Sequence, residues 1–347
     1  MSQQDYAIIV GINDYRGLRP LRSAHQDATR FYEWLIDPDG GAVPADHVRI
    51  LLSPDPMPVD PFDGTPVQRD IDRALRDFGV EGGGRVGRRL YFYFAGHGVG
   101  PTFDEVAMLM ADAAMQRLNS NIGLRGYLSY FKNTGVFDEL VYIVDCCRDR
   151  VLTARGADPV FTFEPANPLP RVADFVVLAA AYGEKAFDPA VTTGGERRGI
   201  LTTAVMEALG GDPRAADAQG RVTSSSLRQY VLERVPQLAA GAQLDQTPEV
   251  PRIPHPDFVF VQRDPRPVRV RIVAGPGVEG DLVVHDGADM REVARRAASD
   301  ARGAAPPWEL DLVRNSRYMV VNAASGDQVL DTNGMNDGDV FHFGSHA

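Results

Sequence analysis

Five short runs in this chain are apolar almost from end to end: YAIIVGI (6–12), HVRILLS (47–53), RLYFYFA (89–95), ELVYIVD (139–145) and DFVVLAAA (174–181). A strand with one wet face alternates polar and apolar residues, so a run without alternation suits a strand covered on both faces. Helical patterns lie between and after these runs, at 24–37 (AHQDATRFYEWLID), 67–79, about 123–132, 200–209 (ILTTAVMEAL) and 224–235 (SSSLRQYVLERV). The last has Ser and Thr available for an N-cap. Strand–helix alternation predicts an α/β domain with a mostly parallel sheet flanked by helices. In such sheets ligands bind beyond the carboxyl ends of the strands.

Two such ends carry chemistry. The third run breaks off in Gly96-His97-Gly98, and the fourth ends in Asp145-Cys146-Cys147. Glycine weakens a strand but lets backbone and neighbours come close, which fits a histidine displayed at the mouth of a sheet. A thiolate nucleophile needs a base or a positive partner, and histidine commonly supplies it. The attacked carbonyl needs donors for its developing charge; the amides of Gly98 and Cys147 are the candidates. The ordinary role of a cysteine ending a core strand is that of a small buried hydrophobe, and this is the expectation for Cys146.

The bulk numbers remove several classes of function. A net charge of -11 argues against a general nucleic-acid binder or a protein that docks on anionic membranes. No run approaches the length of a membrane span, and MSQQDYAIIVGIND has no basic region of signal-peptide type, which predicts a cytoplasmic protein. The two cysteines are neighbours and cannot staple distant segments. No second Cys or His pair has zinc-ligand spacing, so no metal site is expected.

Segments 54–66, 154–171 and 183–199 are rich in Pro, Gly and Asp and read as loops of functional length. QRDPRP (262–267) reads as a linker. It divides the chain into a domain over 1–262 and a second over 268–347. The second offers VRVRIVA, DLVVHD, a helix near 288–301, WELDLV, YMVVN and DVFHF, which predicts a small α+β domain, with the β-grasp type as a candidate. Its histidines, His285, His342 and His346, are isolated and read as surface residues. The domain is expected to be a recognition or regulatory module for a protein partner.

Several motifs together resemble the caspase-like clan of cysteine peptidases, and its prokaryotic metacaspase and orthocaspase branch most. AIIVGINDY and LRSAHQDA resemble that branch's opening strand and its Leu-x-Gly-Cys-x-Asn-Asp-Ala stretch. FAGHG resembles the histidine motif, and VDCCRD resembles Asp-x-Cys-His-Ser-Gly, with Cys147 at the nucleophile position. RRGILTTAVMEAL and DQTPEV resemble the small-subunit region. The histidine precedes the cysteine by about fifty residues, as in caspases. The likeness covers about residues 5–260. It departs at Arg148-Asp149-Arg150, where the branch has His-Ser-Gly, and at Gln26-Asp27, where it has Asn-Asp.

The resemblance implies a cysteine endopeptidase with His97 and Cys147 as its dyad. It also implies an acidic pocket formed by Asp27 and Asp145, which suits cleavage after Arg, and less well after Lys. Arg22 is the one candidate for holding an acidic substrate residue in the animal-caspase manner, and Asp145 would repel such a residue. Calcium is a candidate activator by resemblance, although the sequence has no EF-hand loop. Arg155, Arg171, Arg197 and Arg198 are candidate self-cleavage sites on the loops. The resemblance further implies a monomer and a regulated effector in bacterial defence or cell death. The competing reading is a caspase-fold pseudoenzyme that binds partners as an adaptor.

Overall fold

The computed structural model describes residues 2–344 apart from 16, 57, 59, 61–62, 120, 167–169, 189–196, 218, 252–253, 255, 263–266, 288–289, 302–307, 314–315 and 333–334. The chain divides into two compact units, residues 1–207 with 223–261, and residues 208–222 with 262–347. Most of the expected 262–267 linker, like His346, lies outside the described residues.

The five apolar runs are the five strands of one sheet: β1 (Asp5–Gly11), β2 (Val48–Leu52), β3 (Gly87–Ala95), β4 (Phe137–Asp145) and β5 (Ala173–Leu178). Their spatial order is β5-β4-β3-β1-β2, and every neighbouring pair is parallel. The chain steps outward from β1 to β2, then returns to the other side of β1 for β3. That reversal puts the topological switch between β1 and β3, where ligands of open α/β sheets bind.

The lack of alternation in β3 has the expected cause. Leu90, Phe92 and Phe94 belong to a core shared with Ile71 and Leu75 of helix α2 (Gln68–Asp77) and with Tyr127 and Phe131 of α3 (Leu124–Thr134). Tyr93 points the other way. Its ring stacks on Phe31 of α1 (Ala24–Ile36) at 4.7 Å, and its hydroxyl lies 2.6 Å from that of Thr202 on α4 (Ile200–Gly210). Helices thus cover both faces, and each large side chain fully removed from water contributes roughly 1.5–3 kcal/mol. Helix α5 (Ser224–Gly241) opens on the anticipated cap. Thr223 Oγ1 accepts the amide of Ser226 (3.2 Å) and Ser226 Oγ accepts that of Thr223 (2.9 Å).

Beyond the carboxyl ends of β3 and β4 the chain pairs again. Gly98–Gly100 runs parallel to Asp149–Arg150 and antiparallel to Ala107–Met108, within a second small sheet completed by Asn121–Gly123 and Gly156–Ala157.

The second unit contains β6 (Val268–Ala274), β7 (Asp281–Asp286), β8 (Glu292–Ala297), β9 (Trp308–Leu312), β10 (Arg317–Asn322), β11 (Gly326–Asp331) and β12 (Val340–Phe343). They form a three-stranded sheet, β9-β6-β12, and a four-stranded one, β8-β7-β10-β11. One expectation is corrected. The helix near 288–301, which the α+β and β-grasp reading needed, is strand β8 followed by a 3-10 turn, Ala298–Ala301. EVARRA has helix-forming residues, but β8 pairs antiparallel with β7, placing Ala294 opposite Val284 and Arg296 opposite Leu282. Tertiary pairing outweighs a propensity of a few tenths of a kcal/mol per residue. Strand β11 was not anticipated either; GDQVLD carries few strand formers and is held by its pairing with β10.

Candidate active site

His97 and Cys147 stand at the same register position on adjacent strands. Ala95 faces Asp145 at the end of the β3–β4 ladder, and Val99 faces Asp149 where pairing resumes. The two residues lie in the gap between the ladders, both offset by the same number of positions. Their spacing in sequence is therefore the register of two parallel strands. Neighbouring strands run about 5 Å apart, which brings the two backbones side by side.

The glycines flanking His97 are needed for closeness. A Cβ on Gly96 would lie 2.6 Å from the Tyr15 hydroxyl, and one on Gly98 would lie 2.2 Å from Cys146 Sγ and 2.9 Å from the Cys147 carbonyl oxygen. Gly98 thus packs directly against the cysteine loop, and Cys146 is buried in the core as expected.

Segment 13–22, which follows β1, orients the imidazole. Nε2 of His97 lies 2.6 Å from the carbonyl oxygen of Arg19. A carbonyl only accepts, so in the neutral ring the proton sits on Nε2 and Nδ1 carries the free lone pair. The backbone N–H of His97 donates to the Tyr15 hydroxyl (2.9 Å), which in turn donates to the Leu109 carbonyl (3.2 Å). The Tyr15 ring leans over the imidazole with centroids 4.8 Å apart. Burial lowers the His97 pKa, opposed by the Arg19 bond and by the charge of Asp188.

The Cys147 thiol contacts the backbone of Ala186, accepting from its N–H at 3.3 Å. Burial raises its pKa, partly offset by that bond, while the charges of Asp149 and Asp145 push it further up. Both shifts favour the neutral forms of the thiol and the imidazole.

Asp27 on α1 and Asp145 at the end of β4 converge on Gly199. Asp27 Oδ2 accepts the amide of Gly199 at 2.8 Å, and a Cβ on Gly199 would lie 2.3 Å from Asp145 Oδ2 and 3.1 Å from Asp27 Oδ2. Asp145 Oδ2 also accepts from the amide (3.0 Å) and hydroxyl (2.7 Å) of Thr202. The carboxyls are 1% and 8% exposed. Burial raises Asp27 to about 7, helped by the charge of Asp145, and raises Asp145 to about 6, with Asp188 adding to it. Asp27 Oδ1 is buried with no hydrogen-bond partner, so the acidic pair retains acceptor capacity that the protein does not use. Arg22 is exposed.

Sequence reasoning missed several residues here. Asp188 acts electrostatically on both His97 and Asp145, and its carbonyl accepts from Arg197 at 3.0 Å. Arg148, the departure from the family pattern, is 2% exposed and ties three segments together. Its guanidinium pairs with Glu249 and donates to the carbonyls of Phe103 (2.8 Å) and Ala180 (3.4 Å). Its amide donates to the Glu184 carbonyl (3.0 Å), and its own carbonyl accepts from Gly183 (2.9 Å), holding the 183–187 turn that presents Ala186 to the thiol. Gln246 steadies the same turn, accepting from the Phe187 amide (2.9 Å) and donating to the Ala179 carbonyl (3.1 Å). Gln246 and Glu249 lie within the DQTPEV run, which marked the region without singling out either residue, and the side-chain reach of Arg148 had no sequence signal.

No cluster of His, Cys, Asp or Glu able to hold a metal ion occurs among the described residues, and no described helix is long and apolar enough to cross a membrane.

The caspase-domain family model, Peptidase_C14, matches residues 4–252. The chain belongs to this family. A protein named as a probable protease, from a Desulfuromonadales bacterium, is 30% identical over 250 residues, which is 67% of this chain and 30% of that relative's own length. A crystal structure of caspase-1 from Spodoptera frugiperda is similar at 13% identity and a TM-score of 0.48, covering 76% of this chain and 91% of that one. A protein from Geobacter sulfurreducens is similar at 11% identity and a TM-score of 0.45, covering 76% and 98%. The match ends just after the Gln246–Glu249 segment, and the strands after 268 lie outside it.

Proposed function

We propose that the chain is a cysteine endopeptidase that cleaves after Arg, and less well after Lys, with Cys147 as nucleophile and His97 as its base. The observation that carries the reading is the shared register of His97 and Cys147 beside a buried carboxyl pair. Nδ1 of His97 takes the thiol proton as Sγ attacks the carbonyl carbon of the scissile bond. The carbonyl oxygen becomes an oxyanion held by the amides of Gly98 and Cys147. The imidazolium then protonates the departing amine, leaving a thioester. Water adds to the thioester, His97 accepts the water proton, and the acid product leaves as the thiol regains its hydrogen.

Asp27 and Asp145 receive the guanidinium. A planar two-pronged donor suits two neighbouring carboxyls, one of which, Asp27, has a buried oxygen without a partner. Gly199 now lies between them, so the 197–199 segment moves when substrate enters, which supports a regulated enzyme. Its proposed setting is an effector of bacterial defence or cell death, supported only by the family likeness, with the strands after 268 as a partner-binding module. A second reading is a partner-binding pseudoenzyme. It is favoured by one feature: thiol and imidazole are each bonded to backbone (Ala186 and Arg19) rather than to each other.

The test is turnover of paired fluorogenic peptides ending in Arg, Lys or Asp, by wild type and Cys147→Ala, with and without calcium. Arg turnover lost in the variant supports the reading, and preference for Asp overturns the pocket assignment. Silence from the wild type, together with no labelling of Cys147 by an arginyl thiol-directed inhibitor, favours the pseudoenzyme.

A further inference from the structure

Ser53 follows β2, and its hydroxyl sits at the root of the segment that orients His97. The amides of Asn13 (3.2 Å) and Asp14 (3.3 Å) both donate to Ser53 Oγ. A hydroxyl has two lone pairs and one proton. Both lone pairs are occupied, so the third contact of this oxygen, 2.7 Å to Nε2 of His25, has only the hydroxyl proton left to use. Ser53 therefore donates to Nε2, and His25 is neutral with its own proton on Nδ1. The His25 amide donates in turn to Asn13 Oδ1 (3.3 Å), and the Leu21 amide donates to the Asn13 carbonyl (2.7 Å). That last bond joins the two ends of segment 13–21. Between them lie the Tyr15 hydroxyl and the Arg19 carbonyl, the two groups that hold His97.

We propose that Ser53 and His25 are positioning residues for His97, forming a clamp that is closed only while His25 is neutral. A protonated His25 would turn an N–H toward an oxygen whose lone pairs already serve two amides. One amide must let go, and the segment that orients His97 loosens with it. The surroundings set where this happens. Burial lowers the His25 pKa, while Asp14 after β1 and Asp55 after β2 oppose it; on α1 itself the neighbour is Thr29, whose hydroxyl donates to the His25 carbonyl. Burial is the larger effect, so the clamp is closed at neutral pH and opens on the acid side.

The inference rests on the peptidase reading only for its kinetic arm. The first arm is NMR of histidine-labelled Cys147→Ala protein, which reads tautomers without any turnover. His25 should be in the Nδ1–H form and His97 in the Nε2–H form, with the His97 Nε2–H signal lost as His25 titrates. His25→Gln offers an acceptor oxygen that gains no proton, so there the His97 Nε2–H signal should persist across the pH range in which His25 titrates in the wild type. In the kinetic arm, His25→Gln should reduce the acid limb of kcat from a two-proton to a one-proton slope. Ser53→Ala should lower kcat about tenfold with KM little changed, the scale of one lost hydrogen bond. His25 found in the Nε2–H form, or a His97 signal with the same pH response in wild type and His25→Gln, would overturn the clamp. Expected tautomers in a protein that cleaves nothing would leave the clamp standing and remove the peptidase reading instead.

Discussion

Asp27 and Asp145 come from a helix and a strand far apart in the chain and meet at one point, the α-carbon of Gly199. Burial raises both carboxyls, Asp27 to about 7 with the charge of Asp145 adding to it, and Asp145 to about 6 with the charge of Asp188 adding to it. On the proposed reading, an arriving guanidinium would supply the positive charge the pair lacks and shift both acids toward their ionised forms.

A pH dependence follows with a definite sign. Both groups have folded pKa values raised above the ordinary carboxylate range, so they are protonated on the acid side of 6–7 and ionised above it. A guanidinium binds the ionised pair and releases protons. Affinity of an arginyl inhibitor for Cys147→Ala should rise as pH passes through that range, and Asp27→Asn should flatten the rise. The check is calorimetry in buffers of different ionisation enthalpy. By the same sign the empty pair costs stability as pH rises from the ordinary carboxylate range to about 6–7.

If His97 and Cys147 form the proposed dyad, removing either should cost at least about 10³-fold in kcat, since a nucleophile and its base act as a unit. His97→Ala and Cys147→Ala should be equally inactive, and the double variant no worse. Single-turnover cleavage of an arginyl peptide would read this, and strong additivity would argue that the two residues work independently.

Tyr15→Phe keeps the ring over His97 but deletes the oxygen that accepts its amide. An unsatisfied buried amide costs about 1–3 kcal/mol. Expressed through the placement of the base, it should lower kcat by about tenfold or more and leave KM nearly unchanged. A rise in KM alone would show that Tyr15 shapes the pocket rather than the histidine.

Arg148→Ala leaves Glu249 unpaired and two carbonyls without their donors. Losing one partner of a buried pair costs about 3–5 kcal/mol; Glu249 is partly exposed, so the lower end, about 3 kcal/mol, is expected. Urea unfolding measures it. Glu249→Gln keeps a hydrogen-bonding partner and should cost much less. If both variants are near wild type, the cluster does not hold the cysteine loop.

Much of the caspase domain was legible in the sequence because burial on both faces writes itself into composition. The runs ending at Ala95 and Asp145 show no alternation, and they form adjacent interior strands. The glycines around His97 likewise announced a close approach, although not that Tyr15 and Cys146 were the neighbours. The second unit was harder. EVARRA reads as helix by propensity and is strand by pairing, since the partner that decides it lies in another segment.

The local chain determined which residues could do chemistry: a histidine between glycines, a cysteine after a strand, two acids at turn and helix starts. Only the tertiary structure decided what surrounds them. Register between β3 and β4 set His97 beside Cys147, and crossing of α1 with the 199–202 segment closed Asp27 and Asp145 around Gly199. Ser53, Asn13 and His25 joined into one hydrogen-bonded knot at the ends of β1 and β2. Contacts of this kind depend on which strands are neighbours, and strand order is a property of the whole chain's packing that no short stretch encodes.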